Sequence, residues 1–364
     1  MPDSPIHIYE PYIATNQRKY LLDCINTNQI GQGKYIHEYE TALQNYLGTK
    51  HVITTSNGSV SLQLILYALS ISYGDEVITT SLTYAATISS INILGAKAVL
   101  IDSDDNLQMD LNEIEDAITC KTKAVMIPQL YSDSPDMGKL VSICKKHELH
   151  LIEDSAESFG CSFAEKKIGT FGIASSFSTF ANKTLTTFEG GFIATDDDVL
   201  AAKLRLLRGQ SHIGNFVHDG PGFNARLTNF QCAIGLAQLE DIGSIIARKK
   251  EIANYYRMHL CSDIEKIVPR IDSSAEWMPV FLLPEGLSYS EFQQRLVSFG
   301  VDVRPVFTPV HLMSGFNIDM SSMMLGGCVL YSRGFNLPSY PDLTELQLER
   351  VCEAVNKVVG ERKI

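Results

Sequence analysis

From residue 50 to about residue 195 the chain alternates short, β-branched apolar runs with amphipathic stretches. The runs at 52–56, 76–80, 98–102, 124–128, 149–153, 174–178 and 191–195 predict strands. Between the earlier ones lie helical patterns, such as 60–70 with Leu62, Leu64, Ile65, Leu66 and Leu69. A strand buried on both faces reads as a continuous apolar run, and strand–helix alternation builds a largely parallel sheet covered by helices. The later strands are closely spaced with short connections and need not be parallel. The pattern predicts an α/β fold around a mixed sheet.

After Asn229 one long helical stretch runs through Ala233-Ile234-Gly235-Leu236-Ala237-Gln238-Leu239 and on past Arg257. It is expected to carry the chain into a second domain. There, 278–283 and 302–307 are strand-like and 289–299 is helical. A Pro/Gly-rich segment, 334–341, precedes a closing helix over 343–358. The expected division is 1–245, N-terminal segment included, and 246–364, with a ligand cleft between the two.

Composition narrows the choices. A chain of 364 residues with 45% hydrophobic content can bury a large core. Its net charge of −12 argues against a nucleic-acid surface, which needs clustered Lys and Arg. A phosphorylated ligand therefore requires a local anion site. The eight cysteines are scattered singly, with no metal-ligand spacing, and are read as reduced, mostly buried thiols. No apolar run reaches membrane-span length and the N-terminus lacks a signal-peptide pattern, so the expected address is the cytoplasm.

The chemistry centres on Lys183, in Ser178-Thr179-Phe180-Ala181-Asn182-Lys183-Thr184, running on into Thr186-Thr187-Phe188-Glu189-Gly190-Gly191. An exposed loop lysine is the ordinary fate of this residue type. Flanking hydroxyls and a glycine pair suit instead an amine that forms a Schiff base beside an anion site. Asp154 ends the apolar run at 149–153. It reads either as a turn aspartate or as a carboxylate for a pyridinium nitrogen, the partner that pyridoxal phosphate requires. Glu157 follows one turn later. Thr55-Ser56-Asn57-Gly58-Ser59 follows a strand and opens a helix, and so serves as an N-cap or as a phosphate site. Tyr84 stacks on a heteroaromatic ring or packs in the core. Asn224 precedes the long helix. Arg304, Phe307 and His311 lie together in the C-terminal part.

Taken together, these motifs resemble the PLP-dependent sugar-nucleotide aminotransferases of the DegT/DnrJ/EryC1/StrS type, from Tyr9-Glu10-Pro11 through Leu337-Pro338-Ser339. The resemblance implies the fold-type-I aminotransferase architecture, with a large, mixed, mostly parallel sheet domain and a smaller C-terminal α+β domain. It implies pyridoxal 5'-phosphate as cofactor, with pyridoxamine phosphate as the amino-loaded form. L-glutamate would supply the amine, and the acceptor would be the C4 ketone of a nucleotide-linked 4-keto-6-deoxyhexose. Lys183 would be the Schiff-base lysine and proton shuttle, Asp154 would pair with the ring nitrogen and Glu157 would lie near the ring hydroxyl. Tyr84 would stack over the ring, while Gly58, Ser59 and Ser178 would hold the phosphate. Asn224 would reach in from the partner of a homodimer with shared sites. Arg304, Phe307 and His311 would lie near the nucleotide-sugar.

The chain departs from the family pattern at three places. Phe188 replaces the first glycine of the usual Thr-Thr-Gly-Glu-Gly-Gly, and strain is expected if it takes a positive φ. Gln129-Leu130-Tyr131-Ser132-Asp133-Ser134 replaces His-Leu-Tyr-Gly-His/Gln-Pro, and Ala225 stands where tyrosine is common. These changes bear on the choice of sugar and of GDP, dTDP or UDP, and keep a non-catalytic nucleotide-sugar-binding homologue in view. A sugar 3-dehydratase of the same scaffold carries histidine at the lysine position, and Lys183 argues against that reaction.

Overall fold

The computed structural model describes residues 4–319 and 327–361 and is built around an eight-stranded sheet. Its first strands are β1 (His51–Thr55), β2 (Glu76–Thr80), β3 (Lys97–Ile101), β4 (Thr122–Pro128) and β5 (His150–Asp154). A small hairpin of β6 (Ser162–Phe163) and β7 (Lys166–Lys167) interrupts the sheet before β8 (Ala174–Ser178) and β9 (Gly191–Thr195). A second hairpin, β10 (His212–Gly214) and β11 (Val217–His218), lies outside it. The large sheet runs β1-β9-β8-β5-β4-β2-β3-β15, its last member β15 (Ile318–Asp319) arriving from the C-terminal part of the chain. β9 runs antiparallel to both its neighbours and the other adjacent pairs are parallel, giving the expected mixed, mostly parallel sheet. A second sheet, in the order β12-β13-β16-β14, is antiparallel throughout: β12 (Glu265–Ile267), β13 (Val280–Leu282), β14 (Arg304–Pro305) and β16 (Gly334–Asn336).

Strand periodicity places alternate residues on opposite faces of the large sheet. Val77, Met126 and Ile152 join one core with Leu62 and Leu66, whereas their neighbours Ile78, Val125 and Leu151 join the other with Leu140 and Ile143. Each such fully buried aliphatic side chain contributes about 1.5–3 kcal/mol. The helices on these faces start where sequence chemistry allows. Asn57 caps α3 (Gly58–Ala68) by accepting from the Val60 amide, and Asp136 and Asp197 cap Met137–Lys146 and Asp198–Arg208 in the same way. The second sheet has its own core of Tyr256, Phe281, Phe292 and Phe335, which Ile6 enters by pairing with Val301.

One expectation is corrected. The long helix after Asn229 is two helices, Asn229–Glu240 and α4 (Ile242–His259), broken at Asp241. Asp241 is held by the N-terminal segment, its Oδ2 accepting from the Thr15 amide at 2.8 Å, Thr15 Oγ1 at 2.9 Å and Tyr12 Oη at 3.3 Å. The strand expected at 302–307 shortens to Arg304–Pro305, since Pro305 brings no donor to the ladder. Among the described residues, Cys24, Cys120, Cys144, Cys161, Cys232, Cys261 and Cys352 are free thiols, five of them buried, and the side chain of Cys328 lies outside the described residues. Also among the described residues, no helix is long and apolar enough to cross a membrane.

Candidate active site

The C-terminal ends of β2, β4, β5 and β8 open onto a cleft of about 780 Å³, faced from the other side by Trp277, Arg304 and Phe307. Ligands of open α/β sheets collect at the carboxyl ends of the strands, and this volume admits a cofactor together with a substrate. Lys183, Asp154, Glu157, Gly58, Ser59, Tyr84, Ser178, Arg304 and Phe307 all line it.

Asp154 ends β5 with its carboxyl buried. Thr87 Oγ1 donates to Oδ2 at 2.8 Å, and the Ala156 amide donates to Oδ1 at 3.4 Å. Thr83 backs Thr87 through a hydroxyl contact of 2.7 Å. Burial raises the Asp154 pKa, opposed by Thr87, Ala156 and the charge of Lys183. Among the described residues no ion pair reaches this carboxyl, so a protonated ring nitrogen would supply the cation its position calls for.

Lys183 lies on a loop pinched at its base. The Thr187 amide donates to Thr179 O at 2.8 Å, the Thr179 amide donates to Gly190 O at 2.9 Å, and the two threonine hydroxyls touch at 2.6 Å. Nζ stands 3.6 Å from Glu157 Oε1 and 4.0 Å from the centre of the Trp277 ring. Burial lowers the Lys183 pKa against the pull of Glu157 and Asp154, which moves the amine toward the neutral, nucleophilic form. Burial also pushes Glu157 up to about 7, although Lys183 and the Tyr131 amide, 3.0 Å from Oε2, both favour its ionised form.

The start of α3 also lines the cleft. The Gly58 and Ser59 amides precede the first intrahelical hydrogen bond, Ser61 N–H to Asn57 O, and such amides meet anions favourably. The cradle is tight. A Cβ on Gly58 would stand 3.1 Å from Cβ of Ser178, and one on Gly191 would stand 2.6 Å from the Asn57 carbonyl carbon. A buried carboxylate, a depressed amine and an amide cradle along one cleft match the ring nitrogen, carbonyl and phosphate of pyridoxal phosphate.

The remaining candidates divide. Tyr84 stands exposed at the cleft rim, its ring centre 5.5 Å from that of Phe307. Arg304 lies over the Tyr9 ring at 5.8 Å. His311 does not line the cleft; its Nδ1 lies 2.6 Å from Ser81 Oγ, behind the end of β2. Asn224 is exposed, bridges to Gly209, and does not line its own chain's cleft. Thr87, Trp277 and Tyr131 went unrecognised as site residues in the sequence. The Thr83/Thr87 spacing at the start of a helix was the available signal for Thr87.

Two of the departures share one backbone feature. Phe188 has φ 66° and Ser132 has φ 61°, both left-handed, so each places a side chain where the family pattern carries glycine. Hydrogen bonds compensate. The Phe188 amide donates to Thr186 Oγ1 at 2.9 Å, while Ser132 Oγ donates to Glu157 O at 3.0 Å and accepts from the Trp277 amide at 2.9 Å.

The model of the DegT/DnrJ/EryC1/StrS aminotransferase family matches residues 11–356. GDP-perosamine synthase of Caulobacter vibrioides is 39% identical over 370 residues, spanning 99% of this chain and 100% of the relative. GDP-perosamine synthase of Escherichia coli O157:H7 is 37% identical, spanning 98% and 99%. Among solved structures, Helicobacter pylori PseC, an aminotransferase involved in the biosynthesis of pseudoaminic acid, superposes with a TM-score of 0.92 at 25% identity, covering 98% of this chain and 100% of that one.

Proposed function

The chain belongs to the DegT/DnrJ/EryC1/StrS aminotransferase family, and from that premise we propose that it moves an amino group from L-glutamate to the C4 ketone of a GDP-linked 4-keto-6-deoxyhexose, as a GDP-perosamine synthase does. The observation that carries the reading is the convergence of Lys183, Asp154 and Glu157 with the start of α3 in one cleft.

Pyridoxal phosphate, the family's cofactor, supplies when bound the carbonyl that takes up the amine and the ring that draws electrons from the reacting carbon. Asp154, whose ionised form the Thr87 hydroxyl favours against burial, would hold the ring nitrogen in its protonated form. The Gly58 and Ser59 amides and the Ser178 hydroxyl would fix the phosphate. Tyr84 would cover one face of the ring, and Glu157 would accept from or donate to the ring hydroxyl. Lys183, once its amine is free, would take the proton from the carbon that bears the glutamate amine and return it on the sugar side, as a general acid–base. Its depressed pKa supports that role, because a neutral amine is a base. Arg304 and Phe307, on the facing wall, would meet the nucleotide-sugar, while His311, held by Ser81 off the cleft, would act at most indirectly. Asn224, exposed and not lining its own cleft, suits a contact with the site of a second copy in a homodimer.

The reading takes residues 1–245 as the cofactor-binding domain and 246–364 as the smaller one, although Val310 and β15 join the large-sheet side and Ile6 joins the core of the second sheet. It also carries a cytoplasmic address and a product destined for O-antigen or another lipopolysaccharide glycan. The test is glutamate-dependent turnover of a panel of GDP-, dTDP- and UDP-4-keto-6-deoxyhexoses, with product mass and stereochemistry determined. Amination of the GDP sugar at C4 is expected. Preference for a dTDP or UDP sugar would overturn the GDP assignment, and no 2-oxoglutarate from any of them would overturn the aminotransferase role.

A further inference from the structure

Trp277 is the chain's one tryptophan and is buried at the back of the cleft. Every polar atom it has is engaged. Its main-chain N–H donates to Ser132 Oγ at 2.9 Å, and its indole Nε1–H donates to Asn182 O at 2.6 Å, one residue from Lys183. Its carbonyl accepts from Lys249 Nζ at 3.1 Å and from Ser339 Oγ at 2.9 Å. The residue before it, Glu276, holds φ 51°, a strained conformation for a side-chain-bearing residue. Both Glu276 carboxylate oxygens are gripped by Arg257, at 3.0 and 2.9 Å.

Lys249 and Arg257 belong to α4, eight residues apart and so on nearly the same helix face. Lys249 is buried, and burial pushes its pKa down to about 7 against the charge of Glu276; its ammonium donates to the carbonyls of Trp277 and Ser339 (2.8 Å). Burying a lysine this way is costly, and so is the strain at Glu276. What both costs secure is the position of the indole. One side of that ring lies under Lys183 Nζ at 4.0 Å. Tyr131 stacks beside it at 6.2 Å, and Phe307 continues the stack at 5.5 Å.

We propose that Trp277 is a positioning residue for Lys183: its ring seats the lysine amine whenever that amine is not covalently engaged, and α4 holds the seat through Lys249 and Arg257. The inference rests on the reading of Lys183 as the amine that joins the cofactor. An aromatic face attracts an ammonium more strongly than a neutral amine, so the seat retains the released lysine beside Glu157 and within reach of the reacting carbon. Glu157, Asp154 and Arg304 are the other charges acting on the amine, while Lys249 and Glu276 lie behind the indole.

The test uses the full-length chain. Capture of pyridoxal phosphate by Lys183, fixed with borohydride and located by peptide mass, is followed against pH in the wild type, Trp277→Phe and Trp277→Leu, with circular dichroism confirming the fold. Loss of the seat lowers the pH midpoint for capture by about half a unit or more in Trp277→Leu, with a smaller shift in Trp277→Phe. In parallel, the emission of the lone tryptophan is titrated without added cofactor. The Lys183→Met chain is expected to lose the part of the pH dependence that the amine contributes. An adduct on Lys183 with the same midpoint in all three chains overturns the proposal alone, as do superimposable emission titrations with and without Lys183. No adduct on Lys183 in the wild type overturns it together with the reading beneath it.

Discussion

The hydroxyl of Thr87 donates to Oδ2 of Asp154 at 2.8 Å, from the first turn of a helix onto the end of a strand 67 residues later. A buried carboxylate is drawn toward its neutral form, and this hydrogen bond opposes that shift. Thr87→Val keeps the shape and removes the donor. Hydrogen bonds to charged groups contribute about 1.5–3 kcal/mol, so pyridoxal phosphate should bind roughly 10–100-fold more weakly. Spectrophotometric titration measures this, and an unchanged Kd would remove Asp154 from the ring-nitrogen role.

Phe188 offers a test of stored strain. Phe188→Ala and Phe188→Gly lose the same ring, but only alanine retains a Cβ in the left-handed region. The left-handed penalty, less the extra freedom of glycine in the unfolded chain, leaves the glycine variant about 0.5–1 kcal/mol more stable than the alanine variant. Denaturant midpoints decide it. Equal stabilities would mean the loop carries no strain at this residue.

Glu157 makes stability depend on pH. Its folded pKa, about 7, lies above the ordinary value of 4.5, so the folded state holds the proton more tightly than the unfolded one. The resulting stabilisation is fully present below pH 4.5 and is lost as pH rises through about 7, by up to about 3 kcal/mol. Glu157→Gln should flatten that fall between pH 4.5 and 7 in urea melts of the cofactor-free chain. A variant that loses stability with pH as steeply as the wild type would assign the effect to Asp154 or Glu153 instead.

Gly191 sits between Thr55 of β1 and Ser178 of β8, directly under the start of α3. In Gly191→Ala the new Cβ would meet Asn57, the Gly58 nitrogen and the Phe177 carbonyl oxygen at 2.6–2.7 Å. Overpacking of this kind costs about 1–3 kcal/mol, and here it pushes the amide cradle out of line. Both thermal stability and inorganic phosphate affinity should fall. Lost stability with unaltered phosphate binding would place the anion site elsewhere.

The central strands were legible because burial on both faces leaves runs such as Val77-Ile78 and Val125-Met126-Ile127 with no other explanation. The break at Asp241 was not, because apolar spacing continues across it and the partner of its carboxylate is Thr15, 226 residues away. Two-residue β15 carries no pattern of its own and exists through its pairing with Ala98 and Val99. Within the site, Lys183, Asp154 and the α3 cradle are local in sequence and could be read there. Trp277 could not: it acts on Lys183 from 94 residues further on, through a stack and an ion-pair clamp that arise only in the folded chain.

The central claim is that Lys183 is the amine that joins pyridoxal phosphate. Its most direct test is borohydride reduction of the cofactor-loaded, full-length protein, followed by proteolysis and peptide mass analysis. The account predicts a single cofactor-derived adduct, on the peptide containing Lys183, and none in Lys183→Ala. An adduct on a different lysine, or none at saturating pyridoxal phosphate, would contradict it.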